Sequence, residues 1–178
     1  MNLNDVISDH LKSPEHKKII SYHSGVDIAT NLEPDLLNIK GSPVHLKKAV
    51  MNLFSNAAEA LSGGGRVTVS TENRYVDSPI KGYEHIDEGD FAVLRIEDNG
   101  IGIAGEDLKN IFEPFYTKKE MGRSGTCLGM SIVSNTVEYH QGYINIESTV
   151  GKGTAFELYF PVKREEIAKE KVSISLKD

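Results

Sequence analysis

Three groups of residues in this chain are of types that do chemistry. The first is Asn52, Asn56 and Glu59, spaced i, i+4 and i+7, which a helix would bring to one side. Two aligned asparagines need a reason, because Asn is a poor helix former whose amide competes for backbone hydrogen bonds. One chemistry open to them is oxygen ligation of a hard cation: a neutral amide carbonyl can complete Mg²⁺ coordination while phosphate oxygens and water supply the rest. Taken alone, a solvated helix face is equally compatible with the pattern. The second group is "DNGIGI", residues 98–103, which follows an apolar strand. Asp98 there can accept a hydrogen bond from an exocyclic amine such as that of adenine, and Gly100 and Gly102 let the backbone come close to a flat ligand. The same Asp-Asn-Gly is an ordinary turn sequence, and alone it reads more readily as one. The third group runs from "IFEPFYTKK", with Lys118 and Lys119, into "GRSGTCLGMS". A glycine-rich loop that opens a helix can meet phosphates with backbone N–H groups and the positive end of the helix dipole. A surface loop with solvated lysines is the plain alternative.

These groups need elements to hold them. Ser42 and Pro43 predict the start of a long helix through Leu61, ended by Gly63-Gly64-Gly65. At about 100° per residue, Leu46, Val50, Leu53, Phe54, Ala57 and Leu61 share its apolar face and the asparagines lie opposite. "RVTVSTENRYV" alternates with period two, and "FAVLRIED" is apolar enough for a central strand. Between them, "DSPIKGYEHIDEGD" is a polar, turn-rich loop. "VDIATNL" and "LLNIKG" both read as strands. Short helices are expected within residues 1–22, with Ser13 as N-cap, Pro14 as first helical residue and Glu15 in the acidic first turn. Further helices are expected at 104–112 and 128–140, with a hairpin of "GYINIEST", "VGKG" and "TAFELYFPV" at the end. Interleaved helices and strands, with a final pair that can join directly, predict an α/β sandwich with a mixed sheet over residues 1–162.

Composition narrows the partners. The 178 residues are 39% hydrophobic, enough for one sizeable core, and carry a net charge of -6. No basic stripe is present to attract a nucleic-acid backbone, so nucleic acid is not an expected partner. A lone cysteine, Cys127, cannot form an internal disulfide, and no signal-type apolar run appears, which points to the cytosol. A membrane anchor in a longer parent protein is compatible with this. The tail "KREEIAKEKVSISLKD", residues 163–178, is charged enough to read as a solvated linker or fraying helix.

In their order and spacing, "HLKKAVMNLFSNAAEAL", "EDNGIGI", "FEPFYTKK" and "GTCLGMSIV" closely resemble the N, G1, F and G2 boxes of the ATP-binding catalytic domain of sensor histidine kinases. "GKGTAFELYFP" is similar to the closing glycine motif of the same family, so the resemblance covers residues 3–162. It implies the Bergerat fold, a two-layer α/β sandwich shared with gyrase-type and Hsp90-type ATPases. It implies ATP and Mg²⁺ as ligands, with Asn56 on the metal and Asn52 assisting at the metal and its waters. Asp98 would bind the adenine amine, with Gly100, Gly102 and Ile103 in the pocket. Phe112 and Phe115 would anchor a lid in which Lys118, Gly125, Thr126, Cys127, Leu128 and Gly129 surround the nucleotide. Asn52, Asn56 and Lys118 would form the catalytic set.

The sequence departs from the family pattern twice. Where the family has Gly-Thr-Gly-Leu-Gly, the middle position is Cys127, whose side chain disfavours the positive φ and close approach that glycine allows. The acceptor histidine of such kinases lies on a dimerisation helix in a His-Glu/Asp context followed by proline. His10, His16 and His23 lack that context, and His45, near the asparagine side of the long helix but two turns back, reads as a solvated histidine, so the resemblance implies an acceptor outside residues 1–178. Expected partners are the dimerisation and histidine-phosphotransfer helices of a parent kinase and a response-regulator receiver domain, with the fragment itself monomeric. The rival expectation is a catalytically silent nucleotide-binding or interaction module.

Overall fold

The computed structural model describes residues 1–113 and 129–162. In chain order these form α1 (Leu3–Leu11), α2 (Pro14–Tyr22), β1 (Val26–Asn31), α3 (Pro43–Glu59), β2 (Gly65–Val76), β3 (Ile80–Lys81), β4 (His85–Ile86), β5 (Gly89–Asp98), α4 (Gly105–Leu108), α5 (Gly129–Tyr139), β6 (Tyr143–Thr149) and β7 (Gly153–Pro161). Ser13 and Ser42 cap α2 and α3 by accepting from the N–H groups of His16 and His45, and Pro14 and Pro43 stand at the first turns.

Five of the strands make a mixed sheet in the order β1-β2-β5-β7-β6. The β1–β2 pair is parallel and the remaining pairs are antiparallel. β5 lies at the centre, as its apolar run predicts. One face of the sheet presents Val67, Val69, Ala92, Leu94, Ile96, Phe156, Leu158 and Phe160 to the apolar sides of α1, α3 and α5, forming one continuous core. All six residues assigned to the apolar face of α3 or its C-terminal continuation are buried there. The α/β sandwich with a mixed sheet is therefore the observed fold.

The opposite face carries a charged ladder. Glu157 on β7 is only 5% exposed, yet it is fully engaged. Its carboxylate accepts from Asn145 Nδ2 at 3.0 Å and meets Arg74 Nη2 at 3.2 Å and Arg95 Nη1 at 3.4 Å. Burial would push its pKa up, but the Asn145 hydrogen bond and the two guanidinium groups outweigh this and hold it below the usual carboxylate value.

Three expected elements differ. Residues 36–41 are not a strand: Leu36 and Ile39 are buried, but the segment's hydrogen bonds go to side chains and to the chain start rather than to a ladder. Asn2 Nδ2 donates to Leu36 O, Leu37 N–H donates to Asn73 Oδ1, and Ile39 N–H donates to Met1 O. The loop over 77–88 contains the β3–β4 pair, and its Glu84 carboxylate accepts the Ile144 N–H of edge strand β6 at 2.9 Å. That contact covers part of an otherwise open edge. The helix expected over 104–112 is only the single turn of α4, followed by hydrogen-bonded turns to Glu113.

Candidate functional site

The asparagine-bearing side of α3 is half-buried rather than plainly solvated. Asn52 Nδ2 donates to the Lys48 carbonyl one turn back at 3.0 Å, which ties down the amide nitrogen. Its Oδ1 then faces the first residue of α5: a Cβ built on Gly129 would lie 3.1 Å from it. Glycine at 129 thus lets the start of α5 approach the Asn52 amide oxygen. Asn56 lies one turn further along, and its carbonyl accepts the N–H of Ala60 at the helix end.

That helix end is joined directly to the Asp98 turn. Ile101 N–H donates to Ala60 O at 3.2 Å, and a Cβ on Gly100 would sit 2.3 Å from the same oxygen. Gly102, at φ +75°, lies against the β6–β7 hairpin, where a Cβ would come 2.2 Å from Thr149 O. Asn99 Oδ1 accepts the Arg66 N–H at the start of β2 at 2.8 Å. Each position of the turn is therefore specified by a neighbouring element. The two glycines have a packing role that the sequence reading, which gave them to ligand approach, did not contain.

Asp98 ends β5 and is 5% exposed. Its Oδ1 accepts the Gly100 N–H at 2.9 Å, an Asx-type bond that fixes the carboxylate. A carboxylate is of the type that accepts a hydrogen bond from an exocyclic amine. In register beside Asp98 stand Val67 on β2 and Thr154 on β7. Thr154 is 4% exposed, and its hydroxyl lies 2.8 Å from Ser148 Oγ on β6. Ser148 Oγ donates to Gly153 O, so the shared proton between the hydroxyls comes from Thr154. Ser148 Oγ also accepts the N–H of Ile103 at 2.7 Å, anchoring the far end of the turn.

Thr154 and Ser148 were missed in the sequence. The available signal was strand parity, since both fall on the same side of the sheet as Asp98. Phe112 is rooted in the core edge-on to Tyr83 and Phe156, with ring centroids 5.6 and 6.5 Å away. The expected site residues Phe115, Lys118, Gly125, Thr126, Cys127 and Leu128 lie outside the described residues, as does the 163–178 tail.

Among the described residues, no group of three or more His, Cys, Asp or Glu side chains could hold a metal ion. The donors on α3 are amides, which fit a hard cation whose other ligands arrive with a phosphorylated ligand.

The fold is a two-layer sandwich with an acid at the end of a central strand, locked to the end of an amide-bearing helix. The chain belongs to the histidine kinase-, DNA gyrase B- and HSP90-like ATPase family, whose model matches residues 41–164. It is 33% identical over 181 aligned positions to the sensor kinase CckA of Brucella abortus, an alignment covering 100% of this chain and 18% of the relative. With sporulation kinase E of Bacillus subtilis it shares 35% identity, covering 79% of this chain and 17% of that one. The chain thus spans less than a fifth of the length of either relative. The catalytic domain of the histidine kinase ThkA superposes with a TM-score of 0.69 at 25% identity, covering 90% of this chain and 93% of that one. The mycobacterial sensor histidine kinase MprB gives a TM-score of 0.67 at 25% identity, covering 90% and 96%. By family and fold this is the catalytic, nucleotide-binding domain of the sensor histidine kinase type.

Proposed function

We propose that the domain binds ATP together with Mg²⁺ and delivers the γ-phosphoryl group to a histidine on dimerisation helices outside residues 1–178, for onward transfer to a response-regulator receiver domain. The observation that carries this reading is the direct connection between two chemistries: the Asp98 turn is fixed to the end of the helix bearing Asn52 and Asn56. Adenine recognition and phosphate-end chemistry are thereby held at a set separation. Asp98 accepts the adenine amine. Asn56, with Asn52 beside it, holds the metal, which when bound neutralises charge on the phosphates. Asn52 orients its amide oxygen towards the start of α5, where the phosphates enter. Phosphoryl transfer needs positioning and charge neutralisation more than covalent participation by the protein. Asn52 is an amide and cannot serve as the carboxylate base that activates water, which favours a kinase over an ATPase.

The test uses the full-length parent protein with ATP. The expected product is an acid-labile, alkali-stable phosphate on the protein, lost in Asn56→Ala. Release of inorganic phosphate with no phosphorylated protein would instead support a hydrolase, and absence of nucleotide binding would support the silent module.

A further inference from the structure

His10, in the last turn of α1, and His16, in α2, are unused by the proposed chemistry, yet they are 1% and 8% exposed. Their ring centroids lie 4.9 Å apart at 72°. Both pack on Phe54 of α3, His10 stacked at 4.8 Å and His16 edge-on at 5.5 Å. His10 Nε2 and His16 Nδ1 are buried without a hydrogen-bond partner. Whereas α1 also buries Leu3, Val6 and Ile7, α2 has one buried residue, His16, with Ile19 and Ile20 half-buried beside it. The most buried contact of α2 with the domain is thus an imidazole against two other rings, where a neutral ring is favoured over a charged one.

We propose that His10 and His16 form an acid-released latch: uptake of a proton by the pair undocks α2 from α3 and thereby weakens nucleotide binding at the Asn52–Asn56 side of the same helix. The second part rests on the proposed nucleotide reading, and its structural basis is that Phe54, which both rings contact, belongs to the same helix as Asn52 and Asn56, on the opposite face.

The groups facing His10 set the direction. Desolvation disfavours its charged form most, the neighbouring His16 and Lys47 of α3 disfavour it further, and Glu15 of α2 only partly opposes them. His10 is lowered from 6.5 to about 4, and burial lowers His16 as well. A histidine whose pKa is lower when docked binds protons preferentially when undocked, so docking is fully favourable above about pH 6.5 and is lost progressively as pH falls towards 4. Undocking that fully exposes His10 lowers the docked-to-undocked ratio about thirtyfold between pH 7.5 and 5, and this is an upper bound because His10 on α1 also packs on Phe54.

The test is amide hydrogen exchange on the full chain at pH 7.5 and pH 5, corrected for intrinsic exchange. Residues 14–22 should lose protection by up to about thirtyfold at pH 5, and His10→Leu should remove most of that pH dependence. Protection of residues 14–22 that is the same at both pH values, or unchanged pH dependence in His10→Leu, overturns the latch. Should that variant misfold, NMR titration of the wild-type imidazoles decides: His10 titrating below pH 5 supports the latch, and titration near pH 6.5 overturns it. Affinity for an ATP analogue should weaken more from pH 7.5 to 5 in the wild type than in His10→Leu, which experiences the same titration of the nucleotide. Equal weakening in both overturns the coupling. Absent binding at pH 7.5 overturns the nucleotide reading and the coupling with it, while the exchange result alone judges the latch.

Discussion

Replacing Gly102 by alanine separates the two roles a glycine in the Asp98 turn can have. The residue sits at φ +75°, and its added Cβ would come 2.2 Å from Thr149 O and 2.9 Å from Val150 Cα, both backbone atoms of the β6–β7 hairpin. Gly151 is the matched control, with φ +83° and nothing within 4 Å of an added Cβ. The left-handed conformation costs an L-residue about 1–2 kcal/mol at either position, offset by about 0.4–1 kcal/mol from the stiffer unfolded chain. Gly151→Ala should therefore destabilise by about 1 kcal/mol. At Gly102 the overlap is additional, because ordinary contact begins at 3.4 Å and the hairpin must retreat by about an ångström. Overpacking of this kind costs about 1–3 kcal/mol, so Gly102→Ala should lose about 2–4 kcal/mol. Urea unfolding of both variants, with equal m values, measures the difference. Nucleotide affinity should fall only in Gly102→Ala, because that hairpin carries Ser148 and Thr154 beside Asp98. Two variants within about 0.5 kcal/mol of each other, with affinity lost only at Gly102, would refute the packing argument. That result would return Gly102 to a purely ligand-facing role.

Other expectations follow from single contacts. Asp98→Asn should weaken ATP by about 1.5–3 kcal/mol through loss of a charge-assisted hydrogen bond, and equal affinities of the unmutated domain for ATP and GTP would count against adenine recognition. Glu157→Gln removes the charge held between Arg74 and Arg95 and should cost about 1–3 kcal/mol by urea unfolding at pH 7. Because the folded pKa of Glu157 is lowered, that contribution is present above the unfolded carboxylate value and lost as pH falls through the folded one, so the variant and wild type should converge in acid. Gln141 holds φ 57° in the C-terminal cap of α5, so Gln141→Gly should stabilise by about 0.5 kcal/mol and raise Tm by about 1–2 °C. A lower Tm would contradict the assigned backbone strain.

The long helix and the central strand were legible because their patterns are local. A 3.6-residue apolar stripe marks α3, and an apolar run marks β5. Asp98 was visible for the same reason, as an acid placed directly after that run. Residues 36–41 were misread because Leu36 and Ile39 give a strand-like apolar pattern, while the atoms that satisfy this segment belong to Asn2 and Asn73, far away in sequence. The packing role of Gly100 and Gly102 was hidden likewise, since nothing in "DNGIGI" says that Ala60 and Thr149 will press against it. Ser148 and Thr154 are small polar residues in strands, and only the register places them beside Asp98. The meeting of His10, His16 and Phe54 is a tertiary event between three helices and has no periodic signature.

One titration tests the metal assignment most directly: an ATP analogue added to the wild-type domain and to Asn56→Ala, each with and without Mg²⁺, with Tm recorded for both proteins. Mg²⁺ should tighten binding to the wild type, this tightening should largely vanish in Asn56→Ala, and the variant's Tm should be nearly unchanged. Mg²⁺-independent binding to the wild type, or a variant that loses affinity only because its Tm collapses, would contradict the assignment.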